Sequence, residues 1–269
     1  MSDAIFHLDG ELILPTVLAR GPWTPDAQHG GPPAALLARA IEQFAGGEGM
    51  VVVRLTVELL RPVPITPLLI ETRLSRPGKK VQLVEASLLV AETRTEVGRA
   101  TGLRLRRSHV PLPEGTAPSG ALPAPTAGIA SRPPWAPHIT YEGFHSGGAE
   151  LRFVHGNFEQ PGPATAWIRL RVPLVAGEET SPLCRVATAA DFGNGISWVL
   201  DRSDGYRFIN PDLTIYLHRH PAGEWVALES VTLPEPLGIG IAESRLYDEL
   251  GPLGRSVQSL LIERGADPP

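Results

Sequence analysis

Few side chains in this sequence stand in patterns that chemistry requires, and most of those patterns fail on local context. His218 and His220 alternate along one strand face as a metal pair would, but no third ligand stands at a suitable spacing, so no metal site is expected. Gly238-Ile239-Gly240 lacks the third glycine and the strand-to-helix setting of a dinucleotide loop, and no Gly-x-Ser-x-Gly elbow occurs. Cys184 has no neighbours that would lower a thiol pKa. Arg76, Lys79 and Lys80 cluster at a turn and read as a solvated hairpin before they read as a phosphate clamp. Three features are left. Asp191 lies beside apolar Phe192 and Ile196, where a partly desolvated carboxylate can act as a base or orient a water. Gln258 interrupts an otherwise apolar strand with an amide. His29 leads into Gly30 and Gly31 at the start of a helical pattern, where it either serves a pocket or satisfies a buried turn.

The elements that must position these residues come in two similar sets. Leu55-Thr56-Val57-Glu58-Leu59-Leu60-Arg61 is answered by Leu213-Thr214-Ile215-Tyr216-Leu217-His218-Arg219, 158 residues later. The offset persists from Glu71 to Glu229, from Glu85 to Glu243 and from Leu88 to Leu246, and after a two-residue slip Gly98-Arg99 meets Gly254-Arg255. A match held in register over such a span is a duplicated unit. The first unit reads as a helix over about 32–44, with prolines in its first turn and Gly46-Gly47 at its end, then strands over 51–63, 68–76, 80–93 and 98–107. The second repeats the plan, with strands near 153–160 and 166–172, a largely helical stretch over 182–200, and strands near 207–219, 225–233, 239–247 and 255–263. Units are therefore expected at 1–107 and 151–269, joined by a linker over 108–150 whose Pro, Ala, Gly and Ser content suits an extended connection. Within the repeat, Gln258 stands opposite Gly102, and Asp191 has no counterpart in the Gln28-His29-Gly30-Gly31 turn. The halves have diverged, so one active centre is expected, mainly in the second half.

Bulk composition narrows the class. The net charge of −5 and pI near 5.9 argue against a broad basic face for nucleic acid. No apolar run approaches the roughly 20 residues of a membrane span. A single cysteine excludes an internal disulfide and fits a reducing compartment, so a cytoplasmic location is expected.

On Gln28-His29-Gly30-Gly31-Pro32-Pro33, the Leu55 to Pro62 strand, Arg76 to Ala86, Ala190-Asp191-Phe192-Gly193-Asn194-Gly195, Asn210 to Arg219 and Gly254 to Ser259, the sequence resembles the double-hotdog acyl-CoA thioesterases of the acyl-CoA thioesterase II-like group. The resemblance implies an α+β double hotdog, two tandem units each with a long helix wrapped by a curved antiparallel sheet. It implies hydrolysis of acyl-CoA to free acid and coenzyme A with neither metal nor organic cofactor, in a chain that can pair as a homodimer. By position the family's aspartate, hydroxyl residue and glutamine fall on Asp191, Thr214 and Gln258, although a count back from His218-Arg219 puts Asn210 in the hydroxyl's place. His29, Gly30, Gly31 and Gly193 are then substrate-binding, the glycines allowing close approach. Two other readings compete: a hotdog that binds acyl-CoA or another apolar ligand without turnover, and an enoyl-CoA hydratase. The hydratase needs an Asp and a His close in sequence at the helix start, which neither Asp191 nor His29 has.

Overall fold

In the computed structural model the described residues are 3–116, 118–131, 139–201 and 204–265. The expected linker residues 132–138 lie outside them. The first half comprises β1 (Phe6–Asp9), β2 (Leu12–Pro15), α1 (Gly31–Gln43), β3 (Met50–Leu59), β4 (Leu68–Arg76), β5 (Val81–Val90) and β6 (Glu96–Arg106). The second comprises β7 (Ile129–Ala130), β8 (Ala149–His155), β9 (Ala164–Leu170), α2 (Pro182–Ala190), α3 (Gly193–Ile196), β10 (Tyr206–Ile209), β11 (Asp212–Leu217), β12 (Val226–Glu235), β13 (Ile239–Asp248) and β14 (Gly251–Arg264).

All strands join one antiparallel sheet in the order β1-β2-β4-β5-β6-β3-β11-β14-β13-β12-β9-β8-β7, with β10 also pairing β14. Around its centre this order is palindromic: β4-β5-β6-β3 on one side answers β11-β14-β13-β12 on the other. The seam is β3 against β11, with Thr56 opposite Thr214. These are the residues that begin the repeat, so a local two-fold passes between them. The pairing inside each half agrees: Thr56 faces Thr101 and Thr214 faces Val257, while Glu85 faces Thr101 and Glu243 faces Val257. Gln258 thus occupies the sheet position of Gly102.

One face of the sheet carries the helices. Leu213, Ile215 and Leu217 alternate inward and are buried, as are Val52, Leu55 and Val57 across the seam. α1 places Ala34 to Ala38 and Ile41 in the core, each leucine contributing roughly 1.5–3 kcal/mol by burial. Gly31 permits the closest approach of α1 to α2, since a Cβ there would lie 2.7 Å from the Thr188 carbonyl oxygen.

Two features depart from the sequence reading. The helical stretch expected over 182–200 is short and broken: α2 has nine residues, and α3 has four after Asp191 and Phe192. Gly193-Asn194-Gly195 disfavours a continuous helix, each glycine by roughly 1 kcal/mol relative to alanine. The N-terminal hairpin β1-β2 was also not expected from the pattern; it turns at Gly10, whose φ of 59° is left-handed. Among the described residues no helix is long and apolar enough to cross a membrane.

Candidate active site

Asp191 caps the C-terminal end of α2, and its side chain is only 6% exposed. A carboxylate so placed needs partners, and both halves of the chain supply them. His29 Nδ1, from the turn before α1, lies 2.8 Å from Oδ2. Asn210, between β10 and β11, donates its amide to Oδ1 at 2.8 Å. Gln258 of β14 donates from Nε2 to Oδ1 and to the Asp191 main-chain oxygen, both at 3.3 Å. Its Oε1 accepts the Asn194 amide at 3.3 Å, so both ends of a 1% exposed side chain are engaged.

Burial by itself would push the Asp191 carboxyl up. The charge of His29 when its ring is protonated, its hydrogen bond, the Asn210 amide and the Gly31 N–H outweigh it and hold the group below the usual carboxylate range. The imidazole is fixed as well. Phe144 and Phe192 pack against it at ring-centroid separations of 5.0 and 4.8 Å. Phe144 belongs to a buried π-helical turn, Phe144–Gly148, inside the stretch read as linker. That residue was missed, because nothing in a Pro-rich run marks one phenylalanine as a site wall.

The glycines bring the parts of the site close together. A Cβ on Gly30 would lie 2.8 Å from one Asp191 carboxylate oxygen, and one on Gly193 would lie 3.0 Å from Gln258 Oε1. Gly30, Gly31 and Gly193 therefore make room for Asp191, for α2 and for Gln258. Asp191, Asn210, Gln258, His29 and the three glycines are brought together. Thr214 is not: on β11 it alternates away from buried Leu213 and Ile215, and its hydroxyl faces Thr56 Oγ1 at 3.4 Å across the seam. Strand alternation contained that signal.

Two cavities, of about 240 and 170 Å³, lie near the C-terminal end of α1, away from Asp191, and share Glu42 in their walls. The larger also meets Cys184, whose thiol burial and the nearby Glu42 push up to about 12, which makes it a poor nucleophile. The polar groups converge elsewhere, at Asp191. His220 Nε2 at the smaller cavity lies 2.7 Å from the Val52 carbonyl oxygen.

Comparison with known proteins agrees with this architecture. The model of the acyl-CoA thioesterase N-terminal domain matches residues 19–105, and that of the acyl-CoA thioesterase C-terminal domain matches residues 113–262. The chain belongs to the acyl-CoA thioesterase family. It is accordingly a thioester hydrolase by family. A comparison with curated proteins found no match. Among solved structures, a conserved hot dog fold protein of unknown function from Alicyclobacillus acidocaldarius superposes with a TM-score of 0.71 at 16% identity, covering 98% of this chain and 97% of that one. A protein of Thermobifida fusca YX provisionally assigned to thioesterase II gives 0.70 at 18% identity, covering 97% and 96%. The acyl-CoA thioesterase II TesB2 of Mycobacterium marinum gives 0.64 at 14% identity, covering 96% and 95%. At such identities the likeness is one of fold, and that fold is the hotdog.

Proposed function

We propose that this chain hydrolyses acyl-CoA to free acid and coenzyme A at the Asp191 site, as a cytoplasmic enzyme of two hotdog units, 1–107 and 151–269, joined by the 108–150 segment. The observation that carries the reading is a buried carboxylate held by His29 from one half and by Asn210 and Gln258 from the other. Thioester hydrolysis needs a positioned water, a donor for the tetrahedral oxyanion and exclusion of bulk solvent. The paired polar groups locate the water, and Phe144 and Phe192 keep the surroundings apolar. Pro32 and Pro33 remove two N–H groups from the first turn of α1, so the Gly30 amide is the main-chain donor best placed to serve the oxyanion. Asn210, an amide where the family pattern has a hydroxyl, acts by holding Asp191 and does not relay a proton.

One observation favours a second reading. His29 and Asp191 are distant in sequence yet paired at 2.8 Å, so the spacing objection to an enoyl-CoA hydratase falls. A single panel separates the readings: acyl-CoAs from short to long chain with thiol release as signal, and 2-enoyl-CoAs followed by loss of enoyl absorbance. Thiol release that disappears in Asp191→Asn and falls sharply in Gln258→Ala is expected. Tight binding with no release would mark a non-catalytic acyl-CoA binder, and enoyl loss without release would mark a hydratase.

A further inference from the structure

We propose that His29, rather than Asp191, takes the proton from the attacking water and returns it to the leaving sulfur. This deepens the hydrolytic reading above and rests on it. Asp191 and His29 differ in the lone pairs they have free. A carboxylate offers about four acceptor positions. Those of Asp191 face His29, the Asn210 amide and the Gln258 amide, with the Gly31 N–H shared between the carboxylate and His29 Nδ1. A carboxylate so occupied orients other groups well and accepts a further proton poorly.

His29 is in the opposite condition. Its Nδ1 is 2.8 Å from Asp191 Oδ2, a separation at which two unshared pairs would repel, so Nδ1 carries the proton. The Gly31 N–H, which points at the same nitrogen at 3.1 Å, also reaches the Asp191 carboxylate and is left to it when Nδ1 carries the proton. With Nδ1 protonated, Nε2 holds the free lone pair, and it makes no hydrogen bond to any described residue. The ring is 13% exposed and clamped by Phe144 and Phe192, which leaves a small opening and little freedom to turn. The titratable group paired with it is Asp191, and the buried His145 follows Phe144 in the chain.

In the step that follows, Nε2 accepts a proton from water as the water oxygen bonds to the thioester carbon, giving a tetrahedral oxyanion and an imidazolium paired with Asp191. Collapse breaks the C–S bond, and the Nε2 proton passes to the departing thiolate. Acid and thiol are the products, and His29 ends neutral. No covalent enzyme intermediate forms.

The test is the pH profile of kcat/KM for the intact chain and for His29→Asn, in which the amide keeps a donor near the Nδ1 position but removes Nε2. A fall in kcat of roughly 10²–10⁴-fold with little change in KM, and loss of the acidic limb, is expected. Added imidazole should restore part of the rate to His29→Gly, an effect that a merely structural histidine would not show. If His29→Asn keeps its rate within threefold and retains the limb while Asp191→Asn loses it, Asp191 is the base; the inference fails and hydrolysis stands. If the intact chain releases no thiol from any acyl-CoA, the hydrolytic reading itself fails.

Discussion

Substituting Gly30 by alanine isolates the geometry of the site from its folding. The backbone at Gly30 is right-handed helical, with φ −65° and ψ −25°, so alanine is allowed there without strain. Its Cβ, however, would stand 2.8 and 2.9 Å from the two Asp191 carboxylate oxygens and 3.0 Å from the carboxyl carbon. Ordinary contact begins near 3.4 Å, so Asp191 must retreat by about 0.6 Å. The bonds to His29 and Asn210, both 2.8 Å, then stretch past the usual hydrogen-bond range. A misplacement of about 1 Å can cost 10²-fold in rate, so a loss of about 10- to 100-fold in kcat/KM is expected, or roughly 1.4–2.7 kcal/mol of transition-state stabilisation. Stability should change far less. Weakening a charged hydrogen bond costs about 1.5 kcal/mol, and alanine returns a few tenths, for a net fall in Tm of about 2–4 °C. Gly195→Ala is the matched control, because nothing lies within 4 Å of its added Cβ. Thiol release from the best acyl-CoA substrate, alongside thermal melts of both variants, provides the measurement. A folded Gly30→Ala enzyme within twofold of the parent would show that the Asp191 position does not govern the reaction.

Thr214→Val should leave kcat/KM within about twofold, since its hydroxyl faces Thr56 on the outer side of the sheet; a loss of 10²-fold would return it to the site. Arg219→Ala should destabilise the fold by about 3 kcal/mol in urea unfolding, because Arg219 makes two 2.6 Å bonds to Asp248, whose side chain is fully buried. Burial pushes the Asp248 carboxyl up, but Arg219 and the amides of Ala222 and Leu250 together hold it below the usual carboxylate range. Its contribution is therefore complete above the ordinary carboxylate pKa and is lost as pH falls through the lower folded value, and a urea series across acidic pH should show this slope diminished in Arg219→Ala. Cys184, buried and pushed up to about 12, should resist a thiol reagent in the native protein and react fully once unfolded; rapid native labelling would contradict its placement.

The fold was legible because two-residue alternation and an offset of 158 residues both survive into the sheet, where the repeated threonines face each other. The nine-residue length of α2 was less so, since the apolar pattern continues through Phe192 and Ile196 while the glycines between them act against it. Asp191 and Gln258 could be singled out as breaks in the repeat. Their pairing with His29 could not, because nothing in linear spacing reports contacts between residues so far apart. Thr214 was misplaced for a simpler reason: its apolar neighbours Leu213 and Ile215 already assigned the inner face to themselves.

The broken symmetry has a physical form at one pair of sheet positions. In the first half, Gly102 leaves space that Ile41 of α1 fills, for a Cβ there would lie 2.4 Å from the isoleucine side chain. That corner is core. In the second half α2 stops before it reaches the equivalent place, and Gln258 reaches up instead to Asp191 and the Asn194 amide. Lengthening α2 would restore an apolar contact and remove the carboxylate from the sheet. The short helix, the Gly193-Asn194-Gly195 break and the inward glutamine are thus one change rather than three, and each would be destabilising without the others: a buried glutamine beneath a continuous apolar helix would lose its partners, a cost of about 1–3 kcal/mol for each polar group left unpaired. The same sheet position in the other half satisfies the core with an Ile41–Gly102 contact, which explains how a duplicated unit can keep its fold on both sides while its polar centre forms on one.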